Sequence, residues 1–237
     1  IQDEELISQD PSRRMFKSRV GGVEQPRKRY LSVEERRGLA TLLPESGLSE
    51  TYQHAIWLLL STGCRVDELS KARWSHIDFD ARALTIPSEH AKNKDEHKIY
   101  LSDFTLTHLN YLRNHKMSAV WLFPDRKNEG PIHRQTLSKQ IADRQRSSKI
   151  GGRTRDNDKL RLSGGHWSAH DLRRTSATIM QELGVFPHII KKCLNQRIGD
   201  LIAETYQQAN LWEMQQEAFN RLGDYLSTIR PQPDFRS

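Results

Sequence analysis

SAHDLRRTSATIMQELGVFPHIIKKCLNQRIGDLIAETY, residues 168–206, is the stretch around which the rest of the chain is organised. Ser168 and Asp171 have the spacing of a capping box and Gly184 is a natural stop, so residues 170–183 are predicted to be a helix. His170 and Arg173 lie three apart and therefore share one face of its first turn. A helix N-terminus favours anions, and an arginine, an imidazole and free backbone N–H groups together suit a phosphate better than a neutral ligand. Taken alone, H-x-x-R describes a solvated helix start equally well. The remainder of the chain decides between the two.

Upstream, Ser32 and Glu35 form a second capping box that opens a helix running to about Leu43, broken by Pro44 and Gly47. SETYQHAIWLLLST, from Ser49, fits a largely buried helix ending at Gly63. RVDELSKARW begins a further helix at once, which fixes Arg65 at a helix-to-helix corner with Glu68 one turn on. HIDFD and ALTIP alternate around a turn at residues 80–82, and KIYLS follows the polar loop SEHAKNKDEH, giving a three-stranded meander. Thr105 to His115 is predicted helical with Leu106, Leu109 and Leu112 on one face, WLFP at 121–124 is a short apolar anchor, and residues 136–145 form another helix. Helices at 186–195, 199–208 and 211–228 complete a mainly α chain with a small antiparallel β-sheet, an α+β class. On the last helix Leu211, Met214, Ala218 and Leu222 share a face suited either to a neighbouring protomer or to the chain's own core.

Lys and Arg number 37 against 30 Asp and Glu, a net charge of +7, and this excess favours polyanionic partners, nucleic acid first. Between Pro131 and Arg161 nine basic residues face three acidic ones, so most of the excess sits there, either as a solvated insertion or as a surface that tracks phosphates. Cys64 and Cys193 are the only cysteines, which supplies no disulfide framework and suits a reducing cytosol. The longest apolar run, AIWLLL at 55–60, is far too short to span a membrane, and no signal peptide is legible. Residues 1–29 lack apolar periodicity and read as a linker or tail, and the first residue is Ile1, so the chain is expected to be a fragment or processed form. His166 and His170 have metal-ligand spacing, but Trp167 stands where H-E-x-x-H needs glutamate, so no metal site is expected.

TGCRVDEL (62–69), HAKNKDEHKIYLS (90–102), HDLRRT (170–175) and AETYQQ (203–208) resemble, in order and spacing, the successive boxes of the tyrosine recombinase, or phage-type integrase, family. The resemblance covers residues 30–228 and implies the catalytic-domain fold of that family over 30–237, with residues 1–29 as the link from a DNA-binding domain. Carried over residue by residue, it implies that Arg65 and Arg173 hold the scissile phosphate and that His170 assists proton transfer. It further implies that Lys92 protonates the leaving 5′ oxygen and that Tyr206 is the nucleophile, forming a 3′-phosphotyrosyl link. Glu68 matches an acid that supports the site. Lys94 and Lys98 compete with Lys92 on sequence grounds alone; the distance to His97 and the KIYLS strand favours Lys92.

With cationic side chains sharing the work such chemistry makes sense without a metal or cofactor, and rejoining needs no ATP because the covalent intermediate conserves the phosphodiester energy. Two planar, permanently charged guanidinium forks can hold both non-bridging oxygens of a five-coordinate phosphorus. A phenol of pKa about 10 needs cations or a base to ionise. One position departs from the family: Leu194-Asn195-Gln196 has glutamine where a second histidine is usual. An amide still donates a hydrogen bond, so Gln196 is expected to keep the contact in weaker form. The function implied is site-specific integration or excision of a prophage or genomic island. The partners implied are double-stranded attachment-site DNA, a homotetramer and DNA-bending accessory proteins, in the cytoplasm beside the nucleoid and with no membrane. The sequence leaves two alternatives open, a type IB topoisomerase-like relaxing activity and a DNA-binding relative with weakened catalysis.

Overall fold

In the computed structural model, residues 29–91, 93–148, 151–152, 154, 156–196 and 208–229 are described. Ser32 starts the first helix, α1 (Val33–Leu42), through the expected reciprocal box: Glu35 N donates to Ser32 Oγ at 3.2 Å and Ser32 N to the Glu35 carboxylate at 3.0 Å. That same carboxylate accepts from Arg29 Nη2 at 2.5 Å and from Gly164 N at 2.8 Å. Arg29 also donates to the carbonyls of Gly165 and His166, so the residues that lead into α1 are tied to the loop that precedes residue 168.

Helix α2 (Glu50–Thr62) is the centre of the molecule. Residues 55–62 are all buried, which explains why AIWLLL shows no polar face, and α2 packs against two later helices, α4 (Asp103–Asn114) and α6 (Ala169–Glu182). Between α2 and α4 come the short α3 (Val66–Ser70), a 3₁₀ turn (Trp74–His76) and the strands β1 (Ile77–Asp78), β2 (Ala83–Ile86) and β3 (His97–Tyr100). The strands form the expected antiparallel meander in the order β1-β2-β3, with Ile77 opposite Leu84 and Thr85 opposite Lys98. They are shorter than the apolar alternation predicts.

The helix expected from RVDELSKARW stops at Ser70. Beyond it Leu122 N donates to Ala72 O and Trp74 N to Val120 O, so pairing with the 120–122 segment draws the backbone out of the helix. The anchor residues Leu122 and Phe123 are buried as expected. Helix α4 begins two residues early because Ser102 caps it, accepting from Thr105 N. Of its expected apolar face Leu109 and Leu112 are buried and Leu106 packs partly against the core.

Helices α5 (Gln135–Asp143), α6, α7 (Pro187–Cys193) and α8 (Gln208–Ile229) follow. The helix expected at 199–208 falls outside the described residues, save Gln208, where α8 begins. Helix α8 packs on α7, α4, α2 and α6 and buries Leu211, Ala218, Phe219, Leu222 and Leu226 in the chain's own core, leaving Met214 exposed. Of the two occupants considered for its apolar face, the chain itself is the one observed. Among the described residues no helix is long and apolar enough to cross a membrane.

Candidate active site

The site is built on the corner at Gly63. Helix α2 ends there in the left-handed region, φ +60°, and a Cβ at this position would lie 2.5 Å from Leu194 Cδ2, so glycine is required twice over. Arg65 is the N-cap of α3. Glu68, 2% exposed, accepts from Arg65 N at 2.8 Å and from Arg65 Nη1 at 2.6 Å, so one buried carboxylate fixes both the backbone and the guanidinium. Glu68 thereby holds Arg65 in one orientation.

Arg173 reaches the same corner from α6. Asp171, fully buried, accepts from Ser168 N at 2.9 Å and Ser168 Oγ at 2.8 Å, which sets the start of the helix. Ser176 Oγ donates to Leu60 O at 2.6 Å and ties α6 to α2. Arg173 Nη1 then donates to Gly63 O at 2.5 Å and Nη2 to Leu194 O. Each terminal nitrogen carries two hydrogens, so donor capacity is left for a ligand. Burial, and then the charge of Arg65, push the Arg173 guanidinium down to about 10. It stays cationic at neutral pH, and two like charges at a buried corner are relieved by an anion.

His170 sits on the first turn of α6. The residue is exposed overall, yet its ring is partly sheltered, and that shelter together with the charges of Arg174, Arg173 and Arg65 lowers its pKa. It is therefore a neutral imidazole at neutral pH, able to accept a proton.

The Leu194-Asn195-Gln196 segment closes α7 in a Schellman motif. Asn195 takes the left-handed conformation, φ +46°, Asn195 N donates to Lys192 O at 3.0 Å and Gln196 N to Lys191 O at 2.8 Å. Gln196 is exposed. The next three carbonyls, those of Cys193, Leu194 and Asn195, accept from His97 Nε2 at 3.1 Å, from Arg173 and from Asn93 Nδ2 at 2.8 Å. Neither His97 nor Asn93 was expected from the sequence to be more than a landmark or a loop residue. Burial above all drives the His97 imidazole down to about 4, so it is neutral, and its Nε2 must carry the proton to donate to a carbonyl. Lys92 and Tyr206, the other two expected site residues, lie outside the described residues.

Two sequence features turn out to be structural. Arg144, from the basic stretch, is buried and donates to Ser46 O at 2.9 Å and Gly47 O at 2.5 Å, so it is no part of a phosphate-tracking surface. Arg146 and Arg161 stay nearer the surface, paired with Asp143 at 2.9 Å and Asp158 at 3.4 Å, and with His166 they line a cavity of about 240 Å³. Cys64 and Cys193 are buried, and burial raises each thiol to about 12, which makes both poor nucleophiles.

Comparison with known proteins matches residues 29–210 to the phage integrase family. The prophage integrase IntA of Escherichia coli K12 is 27% identical over 159 residues, covering 67% of this chain and 34% of the relative; the chain thus spans about a third of that protein's length. An integrase from mycobacterium phage Brujita superposes with a TM-score of 0.57 at 17% identity, covering 91% of this chain and 72% of that one. A lambda integrase tetramer bound to a Holliday junction gives 0.53 at 18% identity, covering 74% and 47%. At these identities the two structures establish the fold, that of tyrosine recombinase catalytic domains.

Proposed function

The chain belongs to the phage integrase family, and on that premise we propose that it is the catalytic part of a site-specific DNA recombinase, with residues 1–29 linking it to a DNA-binding domain. The observation that carries the proposal is the Gly63 corner, where Arg65 and Arg173 arrive from separate helices with the neutral His170 in their electric field.

The two guanidinium groups grip the non-bridging oxygens of one phosphate and gain most as charge builds on the five-coordinate phosphorus. The Tyr206 oxygen attacks in line, its proton passing to His170, and a new oxygen–phosphorus bond forms as the bond to the 5′ oxygen breaks. Lys92 protonates that departing oxygen. Rejoining reverses these steps on a different 5′ hydroxyl, so bonds broken equal bonds formed. Gln196 supplies a neutral donor to the phosphate.

Attachment-site DNA is the substrate, and integration or excision of a prophage-like element is the outcome. The lambda integrase likeness, a tetramer on a junction, supports a homotetramer. Bending proteins would assist on the DNA, beside the nucleoid.

A nicked duplex from the junction between the encoding element and its host DNA tests the proposal, because loss of the short product strand traps the covalent complex. The chain is expected to become attached to DNA, and Tyr206→Phe to abolish attachment. No adduct with the unaltered chain would leave a DNA-binding relative without catalysis. Relaxation of plasmids regardless of sequence would favour a topoisomerase.

A further inference from the structure

The last turn of α7 and the two residues after it, Lys191 to Asn195, present five backbone carbonyls that each accept a hydrogen bond from outside the helix's own ladder. The Schellman motif supplies two, at Lys191 and Lys192. The other three, at Cys193, Leu194 and Asn195, receive side chains from three different places: His97 on β3, Arg173 on α6, and Asn93 in the β2–β3 connection. Asn93 bonds a carbonyl 102 residues away, and His97 one 96 residues away, so neither contact serves local structure. Arg173 gives the arrangement its functional meaning. The guanidinium assigned to the phosphate also holds Leu194 O, so any slack in this segment moves Arg173 and Gln196 together.

We infer that Asn93 and His97 are positioning residues: by fastening the carbonyls on either side of Leu194 they fix the point at which Gln196 is presented to the phosphate. The inference rests on the recombinase reading. Asn93 follows Lys92 directly in sequence, so the same bond also joins the connection bearing the proposed acid to the segment bearing the proposed donor.

The test is a double-mutant cycle in the covalent-complex assay, using the whole chain and the nicked junction duplex. Asn93→Ala is expected to lower the maximal cleavage rate about tenfold with the half-saturating DNA concentration unchanged, the signature of a group displaced by a fraction of an ångström. In a Gln196→Ala background the same substitution is expected to cost only about threefold, because Gln196 has gone while the effect that reaches Arg173 through Leu194 O remains. An unchanged rate in Asn93→Ala, an equal penalty in both backgrounds, or an effect confined to half-saturation would each overturn the inference. If Asn93→Ala does not fold, His97 decides: His97→Gln keeps a donor near the Nε2 position and is expected to retain the rate, whereas His97→Leu loses it. Equal rates in those two variants would sink the inference. Absence of any adduct from the unaltered chain is a different failure, which removes the recombinase reading and the inference with it.

Discussion

His97 shows what one buried imidazole does to the molecule. Its folded pKa of about 4 lies below the ordinary 6.5, chiefly because burial penalises the charged form. Between those two values the unfolded chain binds a proton that the folded chain does not, so stability falls as the pH drops through that window and is unaffected above it. The gap corresponds to about 3 kcal/mol at its acid end. Urea melts at pH 7 and pH 4.5 are expected to show a loss of this order, and a much smaller one in His97→Gln, which cannot titrate. Equal losses in the two proteins would assign the acid sensitivity to other groups. His170 behaves differently. Its pKa is lowered partly by neighbouring arginines, and a bound phosphate dianion or DNA phosphate would offset their charge, so its titration reports on occupancy of the site.

At the scale of elements, the junction of α2 and α3 controls the site because one residue shapes both helices. Gly63→Ala would place a non-glycine residue at φ +60° with its Cβ 2.5 Å from Leu194 Cδ2. The conformational cost alone is about 1–2 kcal/mol, and the displaced Leu194 adds to it. The melting temperature is expected to fall by about 4–8 °C, with a loss of cleavage larger than the stability change explains, since Arg173 bonds Gly63 O and Leu194 O. This corner was legible in sequence: TG ends a buried helix, and Arg65 begins the next with Glu68 one turn on. So were the capping boxes at Ser32 and Ser168, each set by residues three positions apart, and the order of the three strands, which pair with their neighbours in sequence. The early end of α3 was not legible, because distant backbone groups at 120–122 compete for its carbonyls and amides. Nor were the roles of His97, Asn93 and Arg144, whose partners are backbone carbonyls far along the chain that no residue pattern marks. Asn195 was the one available hint, since asparagine tolerates the left-handed turn that ends α7.

For the molecule as a whole, the net charge of +7 must act through surface cations that remain after structural ones are set aside. Among the described residues Arg36, Arg144 and Arg173 are buried, but so are Glu35, Glu68, Asp143 and Asp171, so burial withdraws cations and anions alike and the positive excess stays at the surface. The apolar face of α8 is committed to the chain's own core, so a tetramer would have to be assembled from other surfaces. DNA affinity should then come mainly from displaced counterions rather than from a large apolar interface. Fluorescence anisotropy with a labelled junction duplex is expected to show affinity falling at least tenfold between about 50 and about 200 mM salt, with log affinity linear in log salt. Arg146→Ala and Arg161→Ala, which alter the cavity beside the basic stretch, should reduce that slope by about one each if these side chains meet phosphates. Their ion pairs with Asp143 and Asp158 make the opposite result informative: an unchanged slope would show that both cations are neutralised within the fold and that the phosphate contacts lie elsewhere.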